Sequence, residues 1–264
     1  MVTYAPGLRG VLPPLPEGCL AGPGWSIIRE VNDSLAHRIP EPGCLSDARV
    51  ALFDLDGTLL DTIELILSSL RHATGTVLGR PLSDEVLLRN VGVPLAVQMR
   101  EFDEERADEL LAVYRTHNAE HHDGLVRAYP SVAEALAGLA SRGLPMGVVT
   151  SKSRPMAERG LAITGLRERF RTVVTCDDTE LHKPDPAPLA FAADALGVDL
   201  RYCVYVGDSP YDIRAARAAG ARAVGVTWGV SSAQELRAEG PDAIIDDLAD
   251  LPRMFMQAPA RAGA

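Results

Sequence analysis

Five short apolar segments constrain the fold more than any other feature of the sequence. They are rich in Val, are bounded by polar or turn residues, and cover residues 49–53, 145–149, 172–175, 202–206 and 221–226. Continuous apolar runs of this length are typical of parallel strands that are buried on both faces. Amphipathic helical patterns alternate with the later runs and cover residues 131–142, 186–197 and 210–219. The alternation predicts an α/β fold built on a doubly wound parallel sheet.

The interval between the first two runs is too long for a single crossover connection. It covers residues 62–130 and carries helical spacing, with Leu65 and Leu70 on one predicted helix and Leu110 and Tyr114 on another. We therefore predict a helical cap over residues 62–130, inserted after the first strand. The catalytic core is then predicted to comprise residues 47–61 and 131–257.

Residues 1–46 differ from the rest of the chain in composition. Pro and Gly supply 13 of these positions, against 29 of the remaining 218, so we predict a Pro/Gly-rich N-terminal extension with extended or disordered backbone. Ile28, Val31, Leu35 and Ile39 nevertheless fall at helical spacing. The segment is either a mobile arm or a short amphipathic helix that docks on the main body or a partner.

Charge and cysteine content exclude several classes of function. The net charge of −10 and pI of about 5.1 argue against nucleic-acid binding, which favours a basic face. The four cysteines form no CxxC pair, and no apolar stretch reaches the length of a membrane span. With no pattern of a secretion signal, the chain is expected to be cytoplasmic, without a membrane partner, as a monomer or homodimer.

Chemically capable side chains follow the predicted strands. The set comprises Asp54 and Asp56 after the first run, Thr150 and Ser151 after the second, Asp208 and Asp212 after the fourth, and Lys183 at a helix start. Because ligands of open parallel sheets bind at the carboxyl ends of the strands, we expect these side chains to converge.

The carboxylates suit phosphoryl chemistry, in which negative oxygens repel a nucleophile. A magnesium ion neutralises that charge and prefers oxygen ligands, which Asp54 and Asp208 supply. A carboxylate also attacks phosphorus and so divides one difficult step into two. Asp56, returned to the site by a turn at Gly57, is placed to protonate the leaving oxygen and later to deprotonate water.

The other polar residues suit phosphate binding. Lys183 supplies a compact positive charge, and Thr150 or Ser151 can hydrogen-bond a phosphoryl oxygen. Each residue alone also has a structural explanation, since strand-end Asp and Thr-Ser pairs commonly cap helices and a single Lys is commonly solvated. Their joint occurrence at strand ends favours a catalytic site.

Four segments of the sequence carry a family resemblance. FDLDGTLLDT (53–62), VVTSK (148–152), HKPDP (182–186) and VGDSPYDIRAARAAG (206–220) resemble the four motifs of the haloacid-dehalogenase-like hydrolase superfamily. The resemblance covers about residues 48–250 and implies a Rossmann-like core, an inserted helical cap, Mg²⁺ as cofactor and a small phosphorylated substrate.

The resemblance also implies residue roles. Asp54 matches the nucleophile and a metal ligand, and Asp56 matches the general acid/base, whose backbone carbonyl also binds magnesium. The remaining implied roles are phosphate binding by Thr150, charge stabilisation by Lys183, metal binding by Asp208 and support of the same loop by Asp212. Within the superfamily, an acid at position 56 indicates phosphatases and phosphomutases, whose alkoxide leaving groups need a proton.

Finer similarity concerns residues 114–126, 150–170 and 174–186, which look like the bacterial pyrophosphatase branch, a relative of phosphoglycolate phosphatases. The predicted function is therefore hydrolysis of a small phosphate compound, such as pyrophosphate or phosphoglycolate, through an aspartyl-phosphate. A phosphomutase that returns the phosphoryl group to a bound sugar is the alternative, and a non-catalytic binding protein is a third possibility.

Several other residues allow both a functional and a structural interpretation. His117 and His121 have metal-chelating spacing, but no third ligand is evident, which favours packing. Arg100 could bind a second phosphate, although a helix Arg is commonly solvated. Cys176 lacks a His partner near it in sequence and is not expected to be a nucleophile. The loop around Gly92 either contacts substrate or is an ordinary turn.

Overall fold

The structure, a computed structural model, describes residues 41, 43–80 and 82–255. Its strands are short: β1 (Val50–Phe53), β2 (Leu60–Asp61), β3 (Arg127–Ala128), β4 (Met146–Val149), β5 (Thr172–Val174), β6 (Cys203–Gly207), β7 (Arg222–Val226) and β8 (Ala243–Ile245).

Six of these strands form one parallel sheet with the spatial order β5-β4-β1-β6-β7-β8. All five apolar runs became strands of this sheet, so the predicted α/β doubly wound fold is confirmed. The edge strand β8, in which only Ile245 is buried, was not predicted. β2 and β3 pair antiparallel in a separate two-stranded ribbon, which the sequence pattern did not predict either.

The helices follow the predicted alternation and are numbered in chain order: α1 (Ile63–Leu78), α2 (Asp84–Leu88), α3 (Leu95–Phe102), α4 (Ala107–Leu125), α5 (Val132–Ala140), α6 (Arg154–Ile163), α7 (Ala187–Leu196), α8 (Pro210–Ala218), α9 (Ala233–Ala238) and α10 (Leu251–Met254). The first four lie between β2 and β3, in the interval that was too long for one crossover.

Strand β1 shows why the apolar runs are continuous. Successive side chains of a strand point to opposite faces of the sheet. Ala51 and Phe53 therefore enter the hydrophobic cluster on one face, and Val50 and Leu52 enter the cluster on the other. With helices covering both faces, no position of β1 meets water, and all four residues are buried.

Helices α1 to α4 have a hydrophobic cluster of their own, which includes Leu70, Leu87, Met99 and Leu110. Apolar residues at helical spacing on α1 and α4 pack these two helices against each other, which accounts for the pattern seen in the sequence. We call α1 to α4 with their connecting loops (residues 62–126) the helical insertion. The division into a cap and a core at residues 62 and 130 stays a prediction.

The beginning of the described chain packs against its end. Leu45 is fully buried, and its backbone amide donates to the carbonyl of Met254 at 2.8 Å. The predicted helical pattern over residues 28–39 lies outside the described residues. Within the described part of the chain, every helix is too short or too polar to cross a membrane.

Candidate active site

Three strand ends bring side chains from distant parts of the sequence to one place. Asp54 follows β1, Thr150 follows β4 and Asp208 follows β6, and these strands are neighbours with β1 in the middle. All three residues line one cavity of about 350 Å³, whose other wall comes from the helical insertion. The convergence expected from a parallel sheet is therefore present.

Lys183 is buried beside Asp54 and is the centre of a buried charge network. Its Nζ donates to Asp212 Oδ1 at 2.7 Å and to Tyr205 Oη at 3.1 Å, and lies 3.0 Å from Asp54 Oδ1. Burial lowers the pKa of Lys183, but the Asp212 and Asp54 carboxylates more than offset it, so the pKa is raised. The Lys183 side chain therefore stays charged beside Asp54.

Asp212 holds this network in place. Its Oδ1 also accepts from Tyr205 Oη at 3.2 Å, and its Oδ2 accepts from the backbone amide and the hydroxyl of Ser209 at 2.9 and 2.6 Å. Ser209 in turn caps helix α8, and the two residues form a reciprocal capping box. Since both oxygens of Asp212 are engaged, the residue positions Lys183 and the start of α8.

Asp54 is a buried carboxylate whose burial is only partly compensated by Lys183. Burial and the Asp212 charge raise the pKa of Asp54 and the Lys183 charge lowers it, with a net rise to about 7. Asp54 Oδ1 is fully buried and, although Lys183 is at ion-pair distance, accepts no hydrogen bond from the described residues. A further positive charge at this oxygen would stabilise the ionised form.

Asp208 is packed against the backbone of two loops. Its Oδ1 accepts from Thr58 Oγ1 at 2.9 Å and its Oδ2 from the Val230 amide at 2.9 Å. A Cβ on Gly57, which has φ of +78°, would collide with the Asp208 carboxylate. Burial, followed by the charges of Asp212 and Asp54, raises the pKa of Asp208 well above its usual value.

The donor set fits a divalent cation. Carboxylate oxygens of Asp54, Asp208 and Asp212 lie within 4.8 Å of one another, and all three residues are buried. The negative charges of these carboxylates repel one another, and Asp54 Oδ1 accepts no hydrogen bond from the described residues. A hard cation that prefers oxygen ligands would neutralise this repulsion. Asp212 already accepts four hydrogen bonds, so Asp54 and Asp208 have the freer side chains.

Asp56, the predicted acid/base, lines the cavity but faces a residue that the sequence analysis gave no role. Lys152 Nζ donates to Asp56 Oδ1 at 2.7 Å and to Oδ2 at 2.9 Å. The Lys152 backbone is fixed, because its amide donates to Thr150 Oγ1 and its carbonyl accepts from Cys176. Nothing in the spacing of positions 56 and 152 indicates this pair, which depends on side-chain direction.

The loop between α2 and α3 closes over the site through hydrogen bonds to the core. Ser151 Oγ donates to the carbonyl of Gly92 at 2.7 Å, and Tyr211 Oη donates to Asn90 Oδ1 at 3.0 Å. The Ser151 hydroxyl proton, predicted for phosphate binding, is thus used by the loop in this arrangement. Thr150 lines the same cavity, and its hydroxyl donates no hydrogen bond to the described residues.

The remaining candidates separate clearly. Arg100 does not line the cavity, whereas Arg115 of α4, which the sequence analysis overlooked, does. His117 stacks between His72 and His121, with ring centroids 4.6 and 4.1 Å apart, and no metal group among the described residues includes them. Cys176 lines the cavity, but burial raises its thiol pKa to about 11, so it is a poor nucleophile.

Comparison with known proteins finds similarity over most of the chain. The protein is 40% identical over 209 residues to pyrophosphatase PpaX of Bacillus velezensis, which covers 78% of this chain and 97% of that one. It is also 37% identical over 206 residues to pyrophosphatase PpaX of Bacillus pumilus, and this match covers 78% of this chain and 95% of that one.

Solved structures show the same fold. A crystal structure described as a predicted phosphoglycolate phosphatase from Haemophilus somnus superposes with a TM-score of 0.72 at 26% identity, covering 80% of this chain and 99% of that one. A hydrolase from Pseudomonas syringae gives a TM-score of 0.70 at 26% identity, covering 76% and 95%. Residues 51–226 match the family described as haloacid dehalogenase-like hydrolase. The chain therefore belongs to the haloacid dehalogenase-like hydrolase family.

Proposed function

We propose that the protein is a magnesium-dependent phosphatase that forms an aspartyl-phosphate on Asp54 and releases inorganic phosphate from a small phosphorylated substrate. The proposal is carried by three residues from distant parts of the chain: Asp54 and Asp208 line one cavity, and Lys183 lies at ion-pair distance from Asp54. The names of the relatives direct attention to pyrophosphate and phosphoglycolate as the first substrates to test.

In the first step, a carboxylate oxygen of Asp54 attacks phosphorus and the bond from phosphorus to the leaving oxygen breaks. Asp56 turns from Lys152 and gives its proton to that leaving oxygen. In the second step, Asp56 takes a proton from water, the water oxygen attacks phosphorus, and the bond to Asp54 breaks. The products are free phosphate and regenerated Asp54, so atoms and protons balance.

The other residues supply charge and position. Lys183, held by Asp212 and Tyr205, stabilises the Asp54 carboxylate and the negative charge of the phosphoryl oxygens. Thr150 Oγ1 donates to a phosphoryl oxygen. The carboxylates of Asp54 and Asp208 would hold magnesium, which would neutralise phosphate charge as a Lewis acid.

The test is phosphate release from a panel that contains pyrophosphate, phosphoglycolate, hexose phosphates and nucleotides, with magnesium present. We expect release from at least one compound, abolition by EDTA and recovery on adding magnesium. Asp54→Asn, which keeps the shape of the side chain, is expected to abolish turnover because the amide is not a nucleophile.

Two outcomes contradict the proposal in different ways. Conversion of a sugar phosphate to its isomer without free phosphate would identify a phosphomutase. Phosphate release that persists in Asp54→Asn would remove the aspartyl-phosphate mechanism. A melting temperature for Asp54→Asn close to that of the wild type shows that lost turnover is not lost folding.

A further inference from the structure

Helix α4 presents one stripe of residues to the cavity. Tyr114, Arg115, Asn118 and Ala119 all line it, and their spacing of three to four residues places them on one side of the helix. The core contributes Asp54, Thr150 and Asp208 to the same cavity. A substrate whose phosphorus lies beside Asp54 therefore has helix α4 as a neighbour.

Arg115 is the feature of this stripe that its surroundings do not explain. An exposed helix Arg commonly pairs with an acid three or four positions away, but those positions hold Leu111, Ala112, Asn118 and Ala119. Within residues 43–80 and 82–255, Arg115 makes no ion pair, whereas Arg71 and Arg106 of the same insertion pair with Asp84 and Glu109.

The charges around the cavity show what Arg115 could serve. Lys183 forms ion pairs with Asp54 and Asp212, and Lys152 forms an ion pair with Asp56. Arg115 is thus the cavity-lining cation, among the described residues, that faces no carboxylate partner. A bound phosphoryl group draws on Lys183 and magnesium, so the charge of Arg115 remains for another part of the substrate.

That part is the leaving group. The proposed acid Asp56, which donates to the leaving oxygen, lines the cavity from the loop after β1. Arg115 lines the same cavity from helix α4. The leaving group therefore extends toward the face of α4 that carries Arg115.

We propose that Arg115 is a specificity-determining residue that binds an anionic group on the leaving-group half of the substrate. This inference rests on the proposed phosphatase function. A guanidinium makes two parallel hydrogen bonds to a phosphate or carboxylate, which gives both charge and geometry. The substrate class is then a phosphate compound with a second anionic group, a phosphate or a carboxylate, rather than a neutral alcohol phosphate.

The test compares substrates with and without a second anion. Steady-state kinetics of Arg115→Met on pyrophosphate and phosphoglycolate should show kcat/KM lower by about 10- to 100-fold, mainly through KM. On phenyl phosphate and ethyl phosphate, the change should stay within about threefold. Arg115→Lys keeps the positive charge but loses the two parallel hydrogen bonds of the guanidinium. Its kcat/KM on the doubly anionic substrates should lie between those of Arg115→Met and the wild type.

A matched control and a binding measurement complete the design. Arg100→Met removes an exposed Arg of the same insertion that does not line the cavity, and it should leave all four substrates unchanged. In the Asp54→Asn background, calorimetry with magnesium should show Arg115→Met weakening phosphoglycolate binding by about 10- to 100-fold and inorganic phosphate binding by less than about threefold.

The outcomes separate the two proposals. Equal losses on all substrates, or no loss on the doubly anionic ones, would overturn the role of Arg115 while leaving the phosphatase function intact. Absence of turnover in the wild type would count against the phosphatase function, and the calorimetric comparison would still decide the role of Arg115.

Discussion

The two walls of the cavity are built by different means. On the core side, Asp54, Lys183 and Asp208 are at most 5% exposed, and each is placed by a strand end or by several hydrogen bonds. On the insertion side, Arg115 is exposed and unpaired within the described chain, and the loop at Gly92 is held by a few hydrogen bonds to the core.

This difference assigns separate tasks to the two walls. On the core wall, buried charges compensate one another. Substitution of one partner leaves the other charge buried, unpaired and unsolvated, which strongly destabilises the fold. An insertion wall made of a helix face can exchange side chains at little cost in stability. We infer that the chemistry belongs to the core side and that substrate discrimination belongs to the insertion side.

Among the cavity residues outside the buried charge network, the largest effect should come from Asp56, which follows β1 but contacts Lys152. Asp56→Asn is expected to lower kcat on ethyl phosphate by about 10²- to 10⁴-fold, the usual contribution of a general acid/base. Phenyl phosphate, whose leaving group needs less protonation, should lose less in its first step. The measurement is kcat for each substrate, beside the melting temperature.

Retention of most activity on ethyl phosphate by Asp56→Asn would remove Asp56 from the acid/base role. Loss of the folded state would instead show that the Lys152 pair is structural. Lys152→Met, measured in parallel, separates the contribution of the pair from that of the carboxyl group.

The fold could be predicted because each central strand is marked by several consecutive apolar residues. A strand buried on both faces needs an apolar residue at every position, so Val50 to Phe53 stand out without knowledge of their neighbours. Strand β8 was not predicted: it lies at the edge of the sheet and only one of its residues, Ile245, is buried. The β2–β3 ribbon has two residues per strand, which no periodicity can reveal.

The site was predictable only where the sheet itself determines position. Asp54, Thr150 and Asp208 follow adjacent strands, so parallel topology alone brings them together. The pairing of Lys152 with Asp56 depends on side-chain direction, and the position of Arg115 depends on how α4 docks. The sequence could propose Arg100 as readily as Arg115, because the face of a helix that meets a cavity is a tertiary property.

The second prediction tests whether the core wall is intolerant. Lys183→Met leaves Asp212 and Asp54 buried without their cation, and we expect a loss of about 3–5 kcal/mol in the free energy of unfolding. Arg222→Met, which removes solvent-exposed ion pairs with Asp242 and Asp47, should cost at most about 1 kcal/mol. Urea unfolding measures both, and similar losses in the two variants would contradict the contrast.

The third prediction concerns His122, a fully buried residue of α4 whose Nε2 has no partner in the described chain. Burial lowers the pKa of His122, despite its hydrogen bond to Asp123. The unfolded chain therefore binds more protons, so this contribution to stability is complete above about pH 6.5 and is lost as the pH falls below it.

His122→Leu should remove that dependence. Between pH 7.5 and pH 5.5, we expect the wild type to lose about 1 kcal/mol more in the free energy of unfolding than the variant does. Asp54, whose pKa is raised, contributes in the opposite direction, but it is common to both proteins and cancels in the difference. Parallel pH profiles of the two proteins would show that His122 does not titrate as described.

The smallest expected effect concerns the closure of the insertion wall. Tyr211→Phe removes one partly buried hydrogen bond to Asn90, and we expect a loss of about 0.5–1.5 kcal/mol, confined to the loop rather than the whole fold. Hydrogen exchange should therefore quicken at the amides of Val91 and Val93 while those of β1 are unchanged. Tyr202→Phe, whose hydroxyl makes no hydrogen bond within residues 43–80 and 82–255, is the matched control. If exchange quickened equally in β1, the loop and the sheet would unfold together, and the insertion wall would be no more adaptable than the core.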